Sequence, residues 1–348
     1  MKKSLLALAV LGAFAGAASA QSSVTIYGQI DQGITKGNGG TAPNTGANGT
    51  SEAWQLKQAH GSRLGFRGNE DLGGGLSAQF LFEHRFQPDT GAGSSSATAA
   101  SVFWDGGSYV QLTSAAAGSV YFGRWYTPAF WINLKTDPFG YDGVAQVGSK
   151  GFAGFLTPGP NGPGVRSSNT VGYKTPNLGG FTANAAVGLG EAVHGRDAGV
   201  NAEYTAGPIY AGVGYEKVSG GPAGAAGNTV DGNSLFNVGF AYNFGVIRPM
   251  VYFARSKTGV GSVNTNKLAQ VALTAPIGPG VLKAMVLRYT PQDDKTETKF
   301  GIGYDYFLSK RTRVYADYGS AKKDGVVTVP GTSYTNNNAF NLGVRHDF

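Results

Sequence analysis

Apolar and polar side chains alternate along most of this chain. At the carboxy terminus Phe340, Leu342, Val344, His346 and Phe348 share one parity, while Asn341, Gly343, Arg345 and Asp347 share the other. Successive side chains of a β-strand point to opposite faces, so this is a strand with one greasy and one polar face. The pattern recurs in Val24, Ile26 and Ile30 against Thr25, Tyr27 and Gln29, and in Phe181, Ala183, Ala185 and Val187 against Thr182, Asn184, Ala186 and Gly188. It returns in Phe236, Val238, Phe240, Tyr242 and Phe244 against Asn237, Gly239, Ala241 and Asn243, and in Phe300, Ile302, Tyr304 and Tyr306 against Gly301, Gly303 and Asp305. The polar sets are small or hydrophilic, which suits a water-filled interior better than a dry sandwich core. Counting such segments predicts about sixteen strands, an even number as single-chain barrel closure requires. The weakest of them lie near Val110, Val200 and Val251.

The connections alternate in length. Short ones carry the Gly, Pro, Asn and Asp that tight turns need: Asn69 to Gly75, Pro176 to Gly180, Ala206 to Pro208, Pro276 to Gly280, and Ser309-Lys310. Longer ones, rich in Gly, Ala, Ser and Asn, run from Lys36 to Ser51, Asp89 to Ala100, Ser219 to Asn233, Thr258 to Asn264 and Lys322 to Asn338. Short periplasmic turns on one rim and long external loops on the other are the asymmetry of a transmembrane barrel. The stretch from Tyr126 to Gly164 is different, because it holds Trp131, Phe139, Tyr141, Phe152 and Phe155. Aromatic rings on an exposed rim are costly to hydrate. This loop is therefore expected to fold into the lumen and narrow it; a surface or partner-binding loop is the alternative.

The first twenty residues read as a processing segment. Lys2 and Lys3 form a basic start, Leu5 to Phe14 is a short apolar run, and Ala18-Ser19-Ala20 is a small-residue cleavage site. The expected organisation is a signal peptide over 1–20, cleaved after Ala20, and one barrel domain over 21–348. No later stretch is long and apolar enough for a transmembrane helix. The slightly negative mean hydropathy does not count against a membrane barrel, which hides its apolar residues at alternate positions. Glycine is 56 of 348 residues and cysteine is absent. That excludes disulfides, thiolate nucleophiles and cysteine–metal sites. The net charge of +7 is scattered along the chain, whereas a nucleic-acid binder concentrates its basic residues. Within a pore the same excess would bias which ions pass.

Signals for catalysis are weak. His60, His84, His194 and His346 show no ligand spacing, and neither a nucleophile elbow nor a phosphate-binding loop is present. No catalytic residue, metal or cofactor is expected. Asn48-Gly49-Thr50 matches a glycosylation acceptor, a pattern common by chance.

A set of longer segments carries a resemblance. These are Ser22 to Gly28, Ser62 to Leu76 with its Glu70-Asp71-Leu72-Gly73-Gly74-Gly75 turn, Phe122-Gly123-Arg124, Asn169 to Phe181, Leu308 to Thr312, and Gly343 to Phe348. In that order and spacing the chain resembles the general diffusion porins of the neisserial and betaproteobacterial outer membrane. The resemblance spans nearly the whole mature chain. It implies a sixteen-stranded barrel assembled as a homotrimer, with the third long loop forming a constriction opposite basic wall residues. The matching wall positions are Arg63 and Arg166; a further basic position of some relatives reads Asp105-Gly106-Gly107 here, so only a mild anion preference is expected. The last strand, with Phe340, Leu342, Val344 and Phe348, resembles the signal read by the outer-membrane barrel assembly machinery. The other implied partners are outer-membrane lipid and lipopolysaccharide.

Parity adds further candidates to the constriction wall. Arg63 and Arg67 share the polar face of their strand, Lys174 the polar face of its own, and Arg85 that of Gln79 and Glu83. Aimed into the lumen they create a positive field; alternatively they only balance Glu83, Asp105, Glu203, Glu216, Asp305 and Asp347. Arg124 has lipid-face parity, so either a bulge re-aims it or the strand has ended. Asp137 and Asp142 are the acids of the inward loop and would complete a transverse field, unless they are solvated loop charges. Tyr27, Trp104, Tyr173, Tyr306 and Tyr318 are candidates for an interfacial aromatic girdle. The expected function is passive diffusion of ions and small hydrophilic solutes. A substrate-specific channel would need an aromatic stripe or a dense basic ladder, and the polar parities display neither clearly. A barrel enzyme and a secreted β-sandwich adhesin are the remaining alternatives.

Overall fold

The computed structural model describes residues 23–37, 54–93, 102–147, 165–191, 195–219, 232–258, 264–292, 296–329 and 332–348. The expected signal segment, Asn48-Gly49-Thr50, Phe152, Phe155 and His194 lie outside them. The elements in chain order are β1 (Ser23–Gly37), β2 (Gln55–Lys57), β3 (Arg63–Gly73), β4 (Leu76–Arg85), β5 (Gly107–Ser114) and β6 (Gly118–Tyr126). The helix α1 (Phe130–Thr136) follows, then β7 (Arg166–Lys174), β8 (Phe181–Gly188), β9 (Arg196–Ala206), β10 (Ile209–Ser219), β11 (Ser234–Tyr242) and β12 (Arg248–Thr258). The chain ends with β13 (Asn264–Ile277), β14 (Gly280–Thr290), β15 (Glu297–Phe307), β16 (Thr312–Val329) and β17 (Thr332–Asp347).

All strands join one antiparallel sheet in sequence order, and β1 closes it by pairing with β17 from Gln29 opposite Asp347 to Gly37 opposite Ala339. The other edge of β1 meets β2 and β3 in succession. Those two segments are therefore one interrupted stave, and the seventeen segments make a barrel of sixteen staves. Closure leaves no free sheet edge, so every ladder group inside the bilayer finds a partner within the sheet. The seam is finished by Phe348, whose N–H and C=O exchange hydrogen bonds of 3.0 Å with Gly28.

The alternation decides which face each side chain takes. Val24, Ile26 and Ile30 of β1, Phe236 and Phe240 of β11, and Phe340, Leu342, Val344 and Phe348 at the carboxy terminus are exposed on the outer face, where lipid buries them. Gln29, Asp31 and Thr35 of β1 and Asn237 of β11 point inward. The segments near Val110, Val200 and Val251 are strands β5, β9 and β12. Two boundaries differ from expectation. Phe244 lies in the β11–β12 turn, and the stretch expected as a loop over 322–338 is mostly ladder, because β16 and β17 stay paired to Val329 and Thr332. Tyr27 is not a girdle residue: it faces inward and donates to Glu83 Oε2 at 3.0 Å. Tyr173, Tyr306 and Tyr318 are exposed on the outer face.

Candidate functional site in the lumen

The segment after β6 turns into the barrel, and α1 lies against β10, β11 and β12. Its seat is apolar. Phe130, Ile132, Phe139 and Val147 of the segment join the inward-facing Leu235, Met250, Tyr252, Leu268, Met285 and Leu287 in one buried cluster. The backbone polar groups that this docking removes from water are met by wall side chains. Asn201 Nδ2 donates to Pro128 O at 2.7 Å, Ala129 N–H donates to Glu216 Oε1 at 2.8 Å, and Asn237 Nδ2 donates to Ala129 O at 2.9 Å. Farther on, Gln270 Nε2 donates to Thr136 O at 2.8 Å and Lys299 Nζ donates to Gln146 O. The belt ends where Gly143 N–H donates to Ala59 O at 2.9 Å, in the connection between β2 and β3.

That landing point is itself built by Asp31. One of its oxygens accepts from Ala59 N–H at 2.7 Å, His60 N–H at 3.1 Å and the Tyr315 hydroxyl at 2.8 Å; the other is 3.1 Å from His60 Nδ1. The carboxylate thus holds the interruption of the stave open as a platform for the loop.

Asp137 builds the loop from within. It is buried, and its oxygens accept from the N–H groups of Phe139 at 3.0 Å, Tyr141 at 3.1 Å and Val147 at 3.2 Å. Burial pushes its carboxyl above the usual carboxylate value, against the pull of these donors and of Lys299. The pore-facing orientation expected for Asp137 is therefore not what the chain adopts, since all three donors lie inside the loop. Asp142 is half-buried and acts electrostatically on Arg63 and Arg85.

The arginines gather on the wall left uncovered. Tyr126 hydroxyl accepts from Arg166 Nη2 at 2.7 Å and from Arg85 Nη2 at 3.3 Å, so two guanidinium groups share one oxygen. Arg63 Nη2 donates to Gln29 Oε1 at 3.0 Å, and the charges of Arg63 and Arg85 act on each other. One carboxylate sits among them: Glu83 Oε1 is 2.8 Å from Arg85 Nε. Asp105 accepts the Arg85 backbone N–H at 3.1 Å. Arg67 and Lys174 are on the same wall but stand over rings, Arg67 over Tyr27 at 5.3 Å and Lys174 over Tyr121 at 5.0 Å. Arg124 lies at a bulge of the β6–β7 ladder, where β7 carries the extra residue. The β6–β7 register slips between Gly123 and Trp125, Gly123 takes φ 137°, and Arg124 donates to Asp105 O at 3.2 Å and Ser168 Oγ at 2.9 Å.

Two successive aromatics reach the lumen here: Trp125 keeps the inward parity of Tyr121, and Tyr126, the last residue of β6, leaves the outward parity of Phe122. They meet Tyr109 of the wall and Trp131 of α1, with the Tyr109–Trp125 centroids 4.9 Å apart and the Tyr126–Trp131 centroids 5.2 Å apart. The aromatic surface not visible in the parities is therefore present. Tyr109, Tyr121 and Trp125 are readable from their alternation with Val110, Val120 and Phe122, whereas Tyr126 departs from it at the end of β6. Also missed was the seat of the loop, although β12 to β14 signal it by losing their polar parity: Met250, Tyr252, Leu268, Ala272, Met285 and Leu287 are all inward and apolar.

A family model described as Gram-negative porin matches residues 7–326. The chain belongs to that family. It is similar over the full length of both chains to an outer membrane porin protein of Bordetella pertussis and to outer membrane porin protein 32 of Delftia acidovorans, each at 31% identity. Among solved structures it is similar to an anion-selective porin from Comamonas acidovorans, with a TM-score of 0.79 and 27% identity over 94% of this chain and all of that one. OmpT of Vibrio cholerae shares the fold at a TM-score of 0.68 and 18% identity, over 95% of this chain and 99% of that one. As a porin, the chain is an integral outer-membrane protein forming a water-filled channel for passive diffusion. The arginines of the wall meet the docked loop at Tyr126, where it begins, and at Asp142, whose charge acts on Arg63 and Arg85.

Proposed function

We propose that the porin favours anions, and that Arg63, Arg85 and Arg166 set this preference at the constriction, with Arg67 and Lys174 extending the positive surface. The observation that carries the reading is the convergence of Arg85 and Arg166 on the Tyr126 hydroxyl, with Arg63 beside them. Three fixed cations face the narrowed lumen against the carboxylates of Glu83 and Asp142, so an anion meets a favourable field there. The anion selectivity named for the Comamonas acidovorans structure is consistent with this. Asp142 supplies the opposing charge; Asp137 acts only by shaping the loop. Each solute passes down its gradient without chemical change, so no catalytic role is assigned. The mature unit is residues 21–348 after cleavage following Ala20, functioning as a homotrimer amid outer-membrane lipid and lipopolysaccharide. Phe340, Leu342, Val344 and Phe348 present the assembly signal. The test is planar-bilayer recording across a salt gradient with wild type and the double variant Arg63→Gln, Arg166→Gln. The expected result is a reversal potential displaced toward cations; an unchanged potential overturns the assignment. Conductance steps in groups of three support the trimer, and isolated single steps refute it.

A further inference from the structure

We infer that the lumen wall beside the constriction holds a site for aromatic carboxylates, anions that carry a planar ring as benzoate does. The inference rests on the anion reading above and goes beyond it in naming the ring. Tyr109, Trp125, Tyr126 and Trp131 form an unbroken aromatic surface, with Trp125 5.0 Å from Tyr126 and 6.3 Å from Trp131 between ring centroids. Each of the four is half-buried, and Tyr126 is also stacked on Phe130 at 5.1 Å, so Tyr109, Trp125 and Trp131 carry most of the open ring surface. Three come from the barrel and Trp131 from the loop, which places the surface across the junction of wall and constriction.

A cation stands at each end. Lys174 Nζ lies 5.9 Å from the centre of the Trp125 ring, and Arg166 Cζ lies 4.4 Å from that of Tyr126. Among the described residues neither forms an ion pair with a carboxylate; Glu83 is held by Arg85 and Tyr27, and Glu203 by Lys135 and Tyr210. Arg166 Nη2 already donates to the Tyr126 hydroxyl, but with no carboxylate ion-paired to either cation both retain capacity for an anion. A neutral sugar would use the rings and leave both cations unanswered. Chloride would use the cations and leave the rings wet. A ring bearing a carboxylate answers both, through offset or edge-to-face contact with the aromatic surface and a charge-assisted hydrogen bond to Lys174 or Arg166.

The experiment is concentration-dependent current block of the intact porin by benzoate and by cyclohexanecarboxylate, which has the same charge and similar size without an aromatic ring. Benzoate is expected to reach half-block at about fivefold lower concentration, the share an aromatic pair contributes beyond area burial. In Trp131→Leu, and separately in Tyr109→Leu in case the first variant does not insert, that ratio is expected to fall toward one. Equal block by the two acids in wild type overturns the inference while leaving the anion reading intact. A ratio that persists in both variants also overturns it, since the ring is then recognised elsewhere. The salt-gradient reversal potential is recorded on the same wild-type channels, so failure of the anion reading is seen separately.

Discussion

Glu83 is the sharpest point at which to perturb the constriction. Its Oε1 lies 2.7 Å from Arg85 Nη2 and its Oε2 accepts the Tyr27 hydroxyl at 3.0 Å. Glu83→Gln keeps a side chain of the same shape with an acceptor oxygen and removes one negative charge from the arginine cluster. One charge acting on an ion roughly 6 Å away in a water-like dielectric is worth about 0.7 kcal/mol. The anion gains this amount and the cation loses it, so the anion-to-cation permeability ratio moves by about tenfold before screening. Salt with a Debye length of about 10 Å reduces the change to roughly three- to fivefold, in favour of anions. The assay is the reversal potential of wild type and Glu83→Gln across one salt gradient, repeated at higher ionic strength, where the difference should shrink. A permeability ratio that stays put, or moves toward cations, refutes the claim that fixed charge on this wall governs selectivity.

Two further predictions concern the loop and the seam. Asp137→Ala removes the acceptor of three backbone N–H groups inside the docked loop, at a cost of about 1–3 kcal/mol for each that stays dry. The expected outcome is faster proteolytic cleavage within the loop and noisier open-channel current, with Asp137→Asn partly restoring both; a quiet, protease-resistant Asp137→Ala channel would contradict the proposed anchoring. Deleting Phe348 removes the hydrogen-bonded exchange with Gly28 that finishes the seam. If the residue is also an assembly signal, yield in the outer membrane falls much further than refolding yield in detergent, and equal losses in the two measurements mean that only the seam was damaged.

Much of the architecture could be read from alternation because one environment lies on each side of the sheet. Phe300, Ile302, Tyr304 and Tyr306 face lipid while Gly301, Gly303 and Asp305 face the lumen, and a one-residue slip would turn the charged residue to lipid. Arg63, Arg67, Arg85 and Lys174 were legible for the same reason. The pairing of Arg85 with Glu83 was legible too, since residues two apart in a strand share a face. The position of Asp137 was not: its charge is in the sequence, but whether it points at the pore depends on three donors that only the folded loop brings together.

The remaining discrepancies follow from the limits of the alternation itself, which reports the surroundings of a strand and not its backbone. In β12 to β14 the inner face meets a docked loop instead of water, so Met250, Leu268, Met285 and Leu287 turn both faces apolar and the period weakens while the ladder continues. Beyond Lys322 the backbone pairing continues to Val329 and Thr332 through a stretch whose Gly, Ser and Asn residues read as a loop. At the end of β6 the ladder slips against β7, which carries the extra residue between Ser167 and Thr170, and Tyr126 leaves its alternate parity to place the hydroxyl that joins Arg85 to Arg166. The constriction is thus formed where alternation breaks, on the loop's seat on one side and at the β6–β7 bulge on the other. In a barrel of this kind a lapse in the period is a better guide to the narrow part of the pore than any single charged residue.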